Sequence, residues 1–133
     1  MMHRTLEENG TLDMLHDSAI GAICFSPLAQ GVLSTKYLNG IPENSRAVRN
    51  HFLKTSVITD ELLKKVSALN EIAQKRSQTL PQMALAWILS RKGVTSVLIG
   101  ASSCEQISEC AKAPDNCSFS EEECQKIDDI VKQ

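Results

Sequence analysis

Two short segments of the chain are rich in Ile, Val, Leu and Ala. They are residues 19–24, AIGAIC, and residues 95–99, TSVLI, and both lead directly into small residues. A parallel strand that is covered on both faces shows continuous apolarity, whereas a strand with one solvated face alternates. The pattern therefore predicts two fully buried strands of a parallel sheet.

Elsewhere the apolar positions recur every three or four residues, which predicts helices. Each predicted helix begins at a hydroxyl side chain that can cap it. These caps are Thr11, Thr59, Thr79, Ser102 or Ser103, and Ser120. In the last helix Ser120 and Glu123 form a capping box, and Phe119 and Cys124 are placed as a hydrophobic staple.

The apolar positions of three of these helices predict how they pack. The predicted stripes are Leu62, Val66, Leu69 and Ile72 or Ala73 after Thr59, and Cys124, Ile127, Ile130 and Val131 in the last helix. The helix after Thr79 is apolar nearly all round from Met83 to Leu89, and Arg91-Lys92-Gly93 ends it. We therefore expect this helix, with Trp87, to be deeply packed.

Strands that alternate with helices indicate an α/β fold with a parallel sheet. Two strands cannot cover both faces of each other, so we expect the chain to be part of a larger α/β protein. The one long irregular segment, residues 38–58, is polar and basic, with Arg46, Arg49, His51 and Lys54. Loops of this length are often functional, and we interpret this one as a cover over a binding site.

Charge and composition argue against several function classes. The formal net charge is -2, whereas a nucleic-acid surface would give a strongly basic chain. No apolar run approaches the ~20 residues that span a bilayer, and nothing resembles a signal peptide. The five cysteines include no C-x-x-C pair, and Cys104 and Cys110 point to different sides of their helix. We expect reduced thiols, no metal site, no nucleic-acid or membrane partner, and a cytoplasmic location.

Small and polar residues follow both predicted strands: Ser26, Pro27, Gly31, Ser34 and Lys36 after the first, and residues 100–103, GASS, after the second. Ligands of parallel α/β folds lie at the carboxyl ends of the strands. Serine hydroxyls and helix-start amides bind anions, and glycine lets a ligand approach the backbone. With the basic loop, these features predict one site for a multiply phosphorylated ligand.

Each of these features also has a structural explanation. Ser102 and Ser103 would serve equally well as ordinary helix caps, and Lys36 as a solvated surface lysine. Cys24 lies inside a predicted strand, so we interpret it as a core residue and not as a nucleophile.

Three segments resemble the aldo-keto reductase family, in particular the branch with potassium channel β-subunits and bacterial glyceraldehyde-3-phosphate reductases. FSPLAQGVLSTKY, residues 25–37, is similar to the family's segment after the seventh barrel strand. LIGASSCEQISEC, residues 98–110, is similar to the segment after the eighth strand. ALNEIAQKRSQTLPQMALAWIL, residues 68–89, matches the paired helices between them. The resemblance runs from about Leu12 to Val131 in the family's order.

The resemblance implies a (β/α)8 TIM barrel that binds a nicotinamide dinucleotide, usually NADPH, with NAD(H) not excluded. This chain would be its C-terminal portion, an incomplete barrel with the last two parallel strands and their helices, forming one partial domain over 1–133. By family position, Phe25 would pack on the nicotinamide ring and Arg46 would belong to the covering loop 38–58. The pyrophosphate would meet Ser26, Pro27, Leu28, Gln30, Gly31 and Lys36. The adenosine end would meet Gly100, Ser102, Gln106, Glu109 and the position of Cys110.

The sequence departs from the family pattern at two of these positions. Ser103 stands where arginine or lysine often binds the 2′-phosphate, which leaves the choice between NADPH and NADH open. Cys110 stands where asparagine is expected, which should weaken a contact to adenine.

The family reduces carbonyls by hydride transfer, with a tyrosine proton donor tuned by a lysine and an aspartate, and a histidine that orients the substrate. No residue of this chain matches these four, and Tyr37 is expected to be structural. We therefore predict no catalytic residue here. A barrel needs ~250 residues and eight strands, so we interpret the chain as a C-terminal piece, from a truncated or split gene or an excised segment.

The sequence thus predicts the cofactor-binding part of an NAD(P)H-dependent aldo-keto reductase, inactive alone, which would meet a small carbonyl substrate only in a completed barrel. The alternative is a non-enzymatic interaction module. In that case the exposed barrel face would pair with itself or with a complementing chain, because monomers seldom expose such apolar surface.

Overall fold

The computed structural model describes residues 1–38, 40 and 55–132. Its helices and strands follow in the order α1 Thr5–Glu8, α2 Thr11–Asp17, β1 Ala22–Phe25, α3 Asp60–Lys75, α4 Leu80–Leu89, β2 Val94–Leu98, α5 Cys104–Ala111 and α6 Glu121–Lys132. Single 3₁₀ turns lie at Ala29–Gly31, Thr35–Tyr37, Thr55–Val57 and Ala113–Asn116. The predicted alternation of strands and helices is confirmed; the short α1 and the 3₁₀ turns were not predicted.

The two strands form a parallel sheet, as predicted. Cys24 lies opposite Val97, and Phe25 lies opposite Leu98. Strand β1 begins at Ala22 and not at Ala19 as predicted, because Ala19 takes a left-handed φ of 54° that interrupts extended backbone. Parallel pairing brings the carboxyl ends of both strands to one edge of the sheet.

The start of the sheet contains an irregularity that requires glycine. Ala22 pairs with Val94 but the next residue of β1 pairs with Ser96, so Thr95 has no partner of its own. The Thr95 hydroxyl instead donates to the Ala22 carbonyl oxygen at 3.1 Å. A Cβ on Gly21 would lie 2.5 Å from Thr95 Cγ2, closer than atoms tolerate. Glycine therefore allows the two backbones to approach here.

The prediction that both strands are fully buried was wrong for one face of the sheet. Ile23 is 70% exposed, Phe25 79% and Leu98 64%. Ala22 is buried and Cys24 is half-buried on the opposite face. Side chains alternate along a strand, so one row packs on helices while the other meets solvent, because no described element covers it.

The main core lies among α3, α4 and α6 and includes the turn around Tyr37. Its most buried members are Leu33, Tyr37, Val66, Leu69, Ala73, Leu80, Met83, Ala84, Trp87 and Ile127. Trp87 packs edge-on against Phe119, with 5.0 Å between ring centroids. The guanidinium carbons of Arg4 and Arg91 lie 4.7 and 4.0 Å from the Trp87 ring centroid. The predicted deep packing of α4 is confirmed.

Side-chain caps begin the helices largely as predicted. Thr59 Oγ1 accepts from the Leu62 amide at 3.2 Å. Thr79 forms a capping box with Gln82, and Ser120 forms one with Glu123. The predicted cap at Thr11 was wrong. Gly10 holds the capping position at φ 75°, and the Thr11 amide donates to Asn9 Oδ1 at 3.0 Å. The Asn9 oxygen thus does what the threonine hydroxyl was expected to do.

A buried arginine joins the end of α3 to the start of α6. The Arg76 side chain is 4% exposed and its Nη1 donates to Glu123 Oε2 at 2.7 Å. Its guanidinium carbon lies 3.8 Å from the Phe119 ring centroid, and Nη2 donates to the Asn116 carbonyl at 3.1 Å. Burial opposes ionisation of Glu123, but hydrogen bonds from Ser120 and Arg76 outweigh it and lower the pKa of this carboxyl.

Two further points concern membrane spans and the predicted covering loop. Among the described residues no helix is both long and apolar enough to cross a membrane. Residues 39 and 41–54 lie outside the described residues. Most of the predicted covering loop 38–58, including Arg46, falls there and stays a prediction.

Candidate functional site

The parallel sheet sets the position of the candidate site. Phe25 is the last residue of β1 and pairs with Leu98, the last residue of β2. Ser26 and Ile99 therefore leave the sheet side by side, and the loops that follow begin at the same edge. Ligands of parallel α/β folds lie at this edge.

The loop after β1 has an unusual backbone. Ser26, Ala29 and Gln30 have left-handed φ values of 50°, 47° and 59°, and Gly31 follows at 95°. Non-glycine residues pay roughly 1–3 kcal/mol each for such conformations, which recur at ligand sites. The next residues, Val32 and Leu33, are 5% and 1% exposed. Their burial anchors the loop and helps to hold it in this shape.

Several polar groups of this loop bond to the loop itself. The Ala29 amide donates to the Ser26 carbonyl at 3.0 Å, and the Gly31 amide donates to the Leu28 carbonyl at 2.9 Å. Ser34 Oγ donates to the Gly31 carbonyl at 2.6 Å. These bonds hold the loop rigid, and they use amides that a ligand could otherwise bind.

Gln30 carries a buried acceptor without a donor. The residue is half-buried, and its Oε1 is buried with no hydrogen-bond partner in the described part of the chain. An unpaired buried acceptor costs about 1–3 kcal/mol. Its neighbour Pro27 is buried and Leu28 is half-buried. The loop therefore packs closely on its protein side, and the Gln30 oxygen has no partner within the described part of the chain.

The charged and aromatic side chains of this segment are exposed. Phe25 is 79% exposed, and Ser26 and Lys36 are also exposed. Lys36 lies in the turn Thr35–Tyr37, and Tyr37 anchors this turn in the core at 2% exposure. The expected structural role of Tyr37 agrees with this burial. Lys36 is thus an accessible ammonium group on a fixed turn.

The loop after β2 is exposed from Gly100 to Ser103, and its serines bond to Gln106. The Ser102 amide and hydroxyl donate to Gln106 Oε1 at 2.8 and 3.2 Å. Ser103 Oγ accepts from the Gln106 amide at 3.4 Å and is the cap of α5. Of the two serines that the sequence left open, Ser103 is the cap, and Ser102 and Gln106 already bind each other.

The far end of α5 faces helix α4. Glu109 is half-buried and its carbonyl accepts from Gln82 Nε2 at 3.1 Å. Cys110 is 9% exposed and packs with Leu85 and Ala113. Burial, together with the Glu109 charge, raises the pKa of the Cys110 thiol. The thiol is therefore neutral, and it packs in the core and is not available to a ligand at the surface.

A shallow groove of about 610 Å³ runs between the start of α4 and the length of α5. Of the predicted residues it contains Gln106 and Glu109, which line it together with Thr79, Gln82, Cys104, Glu105, Ser108 and Lys112. A hydrogen bond from Ser103 lowers the pKa of Glu105, so a carboxylate lines this groove. The residues of the β1 loop do not line this groove.

The structure thus brings some predicted residues together and separates others. Phe25, Ser26 and Gly100 lie at the shared edge, and Ser102 bonds to Gln106. Glu109 and Cys110 lie farther along α5, toward α4. Sequence reasoning missed the left-handed turn at Ala29 and Gln30. Gly31, which follows directly, is a residue type that favours such turns and could have indicated it. No group of three or more histidine, cysteine, aspartate or glutamate side chains in the described ranges could hold a metal ion.

Comparison with known proteins gives the family. The family model described as the aldo/keto reductase family matches residues 1–132. The chain belongs to the aldo/keto reductase family. The resemblance inferred from the three sequence segments is therefore confirmed.

Two curated relatives lie in the expected branch of the family. The L-glyceraldehyde 3-phosphate reductase of Escherichia coli O157:H7 is 46% identical over 135 residues, which cover 98% of this chain and 39% of that protein. The protein of the same name from Escherichia coli strain K12 is 45% identical with the same coverage. The chain thus spans 39% of the length of these relatives.

The fold agrees with a solved structure of the family. A thermostable aldo-keto reductase in complex with the inhibitor epalrestat matches with a TM-score of 0.62 and 24% identity, over 96% of this chain and 36% of that one. This chain is therefore α/β, with two parallel strands and helices that correspond to part of a TIM barrel. The predicted incomplete barrel is confirmed.

Proposed function

We propose that this chain is the dinucleotide-binding part of an NAD(P)H-dependent aldo/keto reductase. The observation that carries the proposal is the pairing of Phe25 with Leu98, which starts two loops of small residues at one edge of a parallel sheet. Family membership supplies the kind of ligand, because aldo/keto reductases generally use nicotinamide cofactors.

In this proposal the loop after β1 binds the two phosphates of the cofactor. Lys36, on the turn Thr35–Tyr37 that follows this loop, would supply a positive charge, and Ser26 would supply a hydroxyl. The exposed Phe25 ring offers an apolar surface against which a nicotinamide could pack. In this proposal Pro27, Leu28 and Gly31 shape the loop, and Arg46 belongs to its cover.

The second loop would meet the adenosine end through Gly100, Ser102, Gln106 and Glu109. Ser102 would have to exchange its bond to Gln106 for one to the ligand. Cys110 would contribute little, because its thiol faces Leu85 and Ala113. Ser103 caps α5 and brings no positive charge, so we propose that NADP(H) and NAD(H) both remain candidate cofactors.

The bound cofactor would supply hydride for carbonyl reduction. None of the chain's residues matches the family's proton-donating tyrosine or its lysine, aspartate and histidine partners, so we propose that these 133 residues reduce no carbonyl unaided. The name of the two Escherichia coli relatives makes L-glyceraldehyde 3-phosphate the first carbonyl compound to test. A cytoplasmic location stays a prediction.

Titration with NADPH and with NADH, followed by cofactor fluorescence, tests the site. We expect Lys36→Ala to weaken binding about tenfold, equal to roughly 1.4 kcal/mol, because the phosphates lose one cation. Lys36→Arg should retain most of the affinity. Lys64→Ala removes an exposed lysine from α3 and is the matched control. Equal affinities for the Lys36 and Lys64 variants would contradict the proposed site.

Absorbance of NADPH at constant enzyme tests the second part of the proposal. With L-glyceraldehyde 3-phosphate or a small aldehyde we expect no consumption above background. Steady consumption that disappears in Lys36→Ala would show that the chain is active by itself, and the proposed lack of catalytic residues would then be wrong.

A further inference from the structure

The sheet exposes one continuous apolar row. Ile23, Phe25 and Leu98 are exposed by 70%, 79% and 64%. They lie on one face, because Cys24 and Val97 pair between them and the Val97 side chain packs with Leu85, Cys110 and Ala113 on the other. Parallel strands are normally covered on both faces. This face, called the inner face below, therefore requires a partner.

The sheet also has two open edges. Among the described residues β1 pairs only with β2, so each strand keeps one side of its backbone without a neighbouring strand. Unpaired edges of a parallel sheet bind further strands. A complete partner must cover the inner face and also satisfy both edges.

This requirement selects one kind of partner. A second copy of the chain would bring two strands and would still leave open edges. A closed barrel removes all edges. A TIM barrel has eight strands, whereas the described residues form two, and this chain covers 36% of the solved relative. The rest of such a barrel would carry the other strands. The partner that satisfies the inner face and both edges together is a polypeptide that carries those strands.

We propose that the inner face and the two open edges bind, as a separate polypeptide, the complementary part of an aldo/keto reductase barrel. The complex has one copy of each polypeptide, because the two parts close a single barrel. Phe25 lies on the inner face and directly precedes Ser26, so the docking surface is continuous with the candidate cofactor site.

The experiment combines this chain with the part of Escherichia coli strain K12 L-glyceraldehyde 3-phosphate reductase that the chain does not match. The two are co-expressed with a tag on the complementary part only, co-purified, and weighed by sedimentation and light scattering. We expect a complex with one copy of each. This readout needs no cofactor, so it stays informative even if the proposed dinucleotide site is wrong.

Charge substitutions locate the surface. Ile23→Asp and Leu98→Asp place a carboxylate on the inner face and should weaken the complex by at least about tenfold. Met14→Asp, on α2, is the matched control, because Met14 is 60% exposed but lies outside the sheet. Circular dichroism of each variant alone checks that it folds like the parent chain.

Three outcomes would overturn the proposal. One is recovery of the tagged part without this chain. Another is a complex that Met14→Asp weakens as much as Ile23→Asp does. The third is a homo-oligomer of this chain that persists in the presence of the complementary part and dissociates in Leu98→Asp, which would identify a second copy as the occupant. If the chain is unfolded alone, a co-purified one-to-one complex that Ile23→Asp abolishes supports the proposal.

Discussion

At the scale of single residues, the most consequential positions are polar groups that find partners far along the chain. Arg76 and Glu123 are 47 positions apart yet form a 2.7 Å bond beside Phe119. Arg76 is buried and Glu123 is half-buried, so removing Glu123 would leave a buried charge without its partner, which costs more than the pair itself contributes. The candidate site has the opposite feature, since Gln30 Oε1 is buried and has no hydrogen-bond partner among residues 1–38, 40 and 55–132.

The Glu123 carboxylate makes stability depend on pH. Its pKa is lowered below the ordinary value of 4.5 in the folded chain, so it stabilises the fold above that value and loses this effect as pH falls through the lower folded pKa. We expect Glu123→Gln to lower the free energy of unfolding at pH 7 by about 1–2 kcal/mol. The difference from the parent chain should shrink below pH 4.5. Urea unfolding from pH 7 to pH 3 measures both.

Glu121→Gln is the control for this experiment. Glu121 is an exposed carboxylate in the first turn of the same helix, so its substitution reports general charge effects. If the curves for Glu123→Gln and the parent chain run parallel down to pH 3, the Arg76 bond does not set the acid dependence.

At the scale of elements, local chemistry fixes the helices while the strands depend on their neighbours. Thr59, Thr79 and Ser120 were predicted as caps because a hydroxyl bonds amides only two or three residues away. The start of β1 was misplaced by three residues, and Thr11 was not the cap. Both errors arise where Asn9 or Ala19 supplies a contact or a backbone angle that an apolar pattern does not record.

Substitutions at Gly21 and Thr95 test the register of the sheet. We expect Gly21→Ala to lower the free energy of unfolding by about 1–3 kcal/mol, because its Cβ would lie 2.5 Å from Thr95 Cγ2. Thr95→Ala removes that methyl group and the bond to the Ala22 carbonyl. The double variant should therefore lose less than the sum of the two single losses. Additive losses in a denaturation cycle would show that Gly21 and Thr95 do not touch.

At the scale of the whole molecule, the chain forms a helical core on one side of an open sheet. The core around Trp87 is closed and buried, whereas the inner face is apolar and exposed. Phe25 belongs both to the inner face and to the candidate cofactor site. Covering this face should therefore influence how well the site is organised.

We expect complementation to tighten dinucleotide binding. In the one-to-one complex NADPH should bind at least about tenfold more tightly than to the chain alone, because Phe25 and the loop after it would be held in place. Fluorescence titration with and without the complementary part measures the gain. Ile23→Asp should abolish it and Met14→Asp should leave it. Equal affinities in both states would mean that the site does not depend on the inner face.

The candidate site was only partly predictable. The small residues after both strands predicted a shared edge, and the parallel pairing provides one. Ser103 was one of two candidates for the cap of α5, and the choice rests on its bond to the Gln106 amide. The burial of Cys110 against Leu85 depends on a contact between distant segments, so no local pattern reports it. The left-handed backbone at Ala29 and Gln30 leaves no mark in an apolar pattern.

The sequence by itself determined the alternation of strands and helices, most helix caps and the family, because periodicity, capping and motif spacing act over short distances along the chain. Only the tertiary structure decided which row of each strand is exposed, how Thr95 shifts the register, and which polar groups near the site are already bonded. These features depend on which distant segments come within a few ångströms of one another, and folding alone sets those distances.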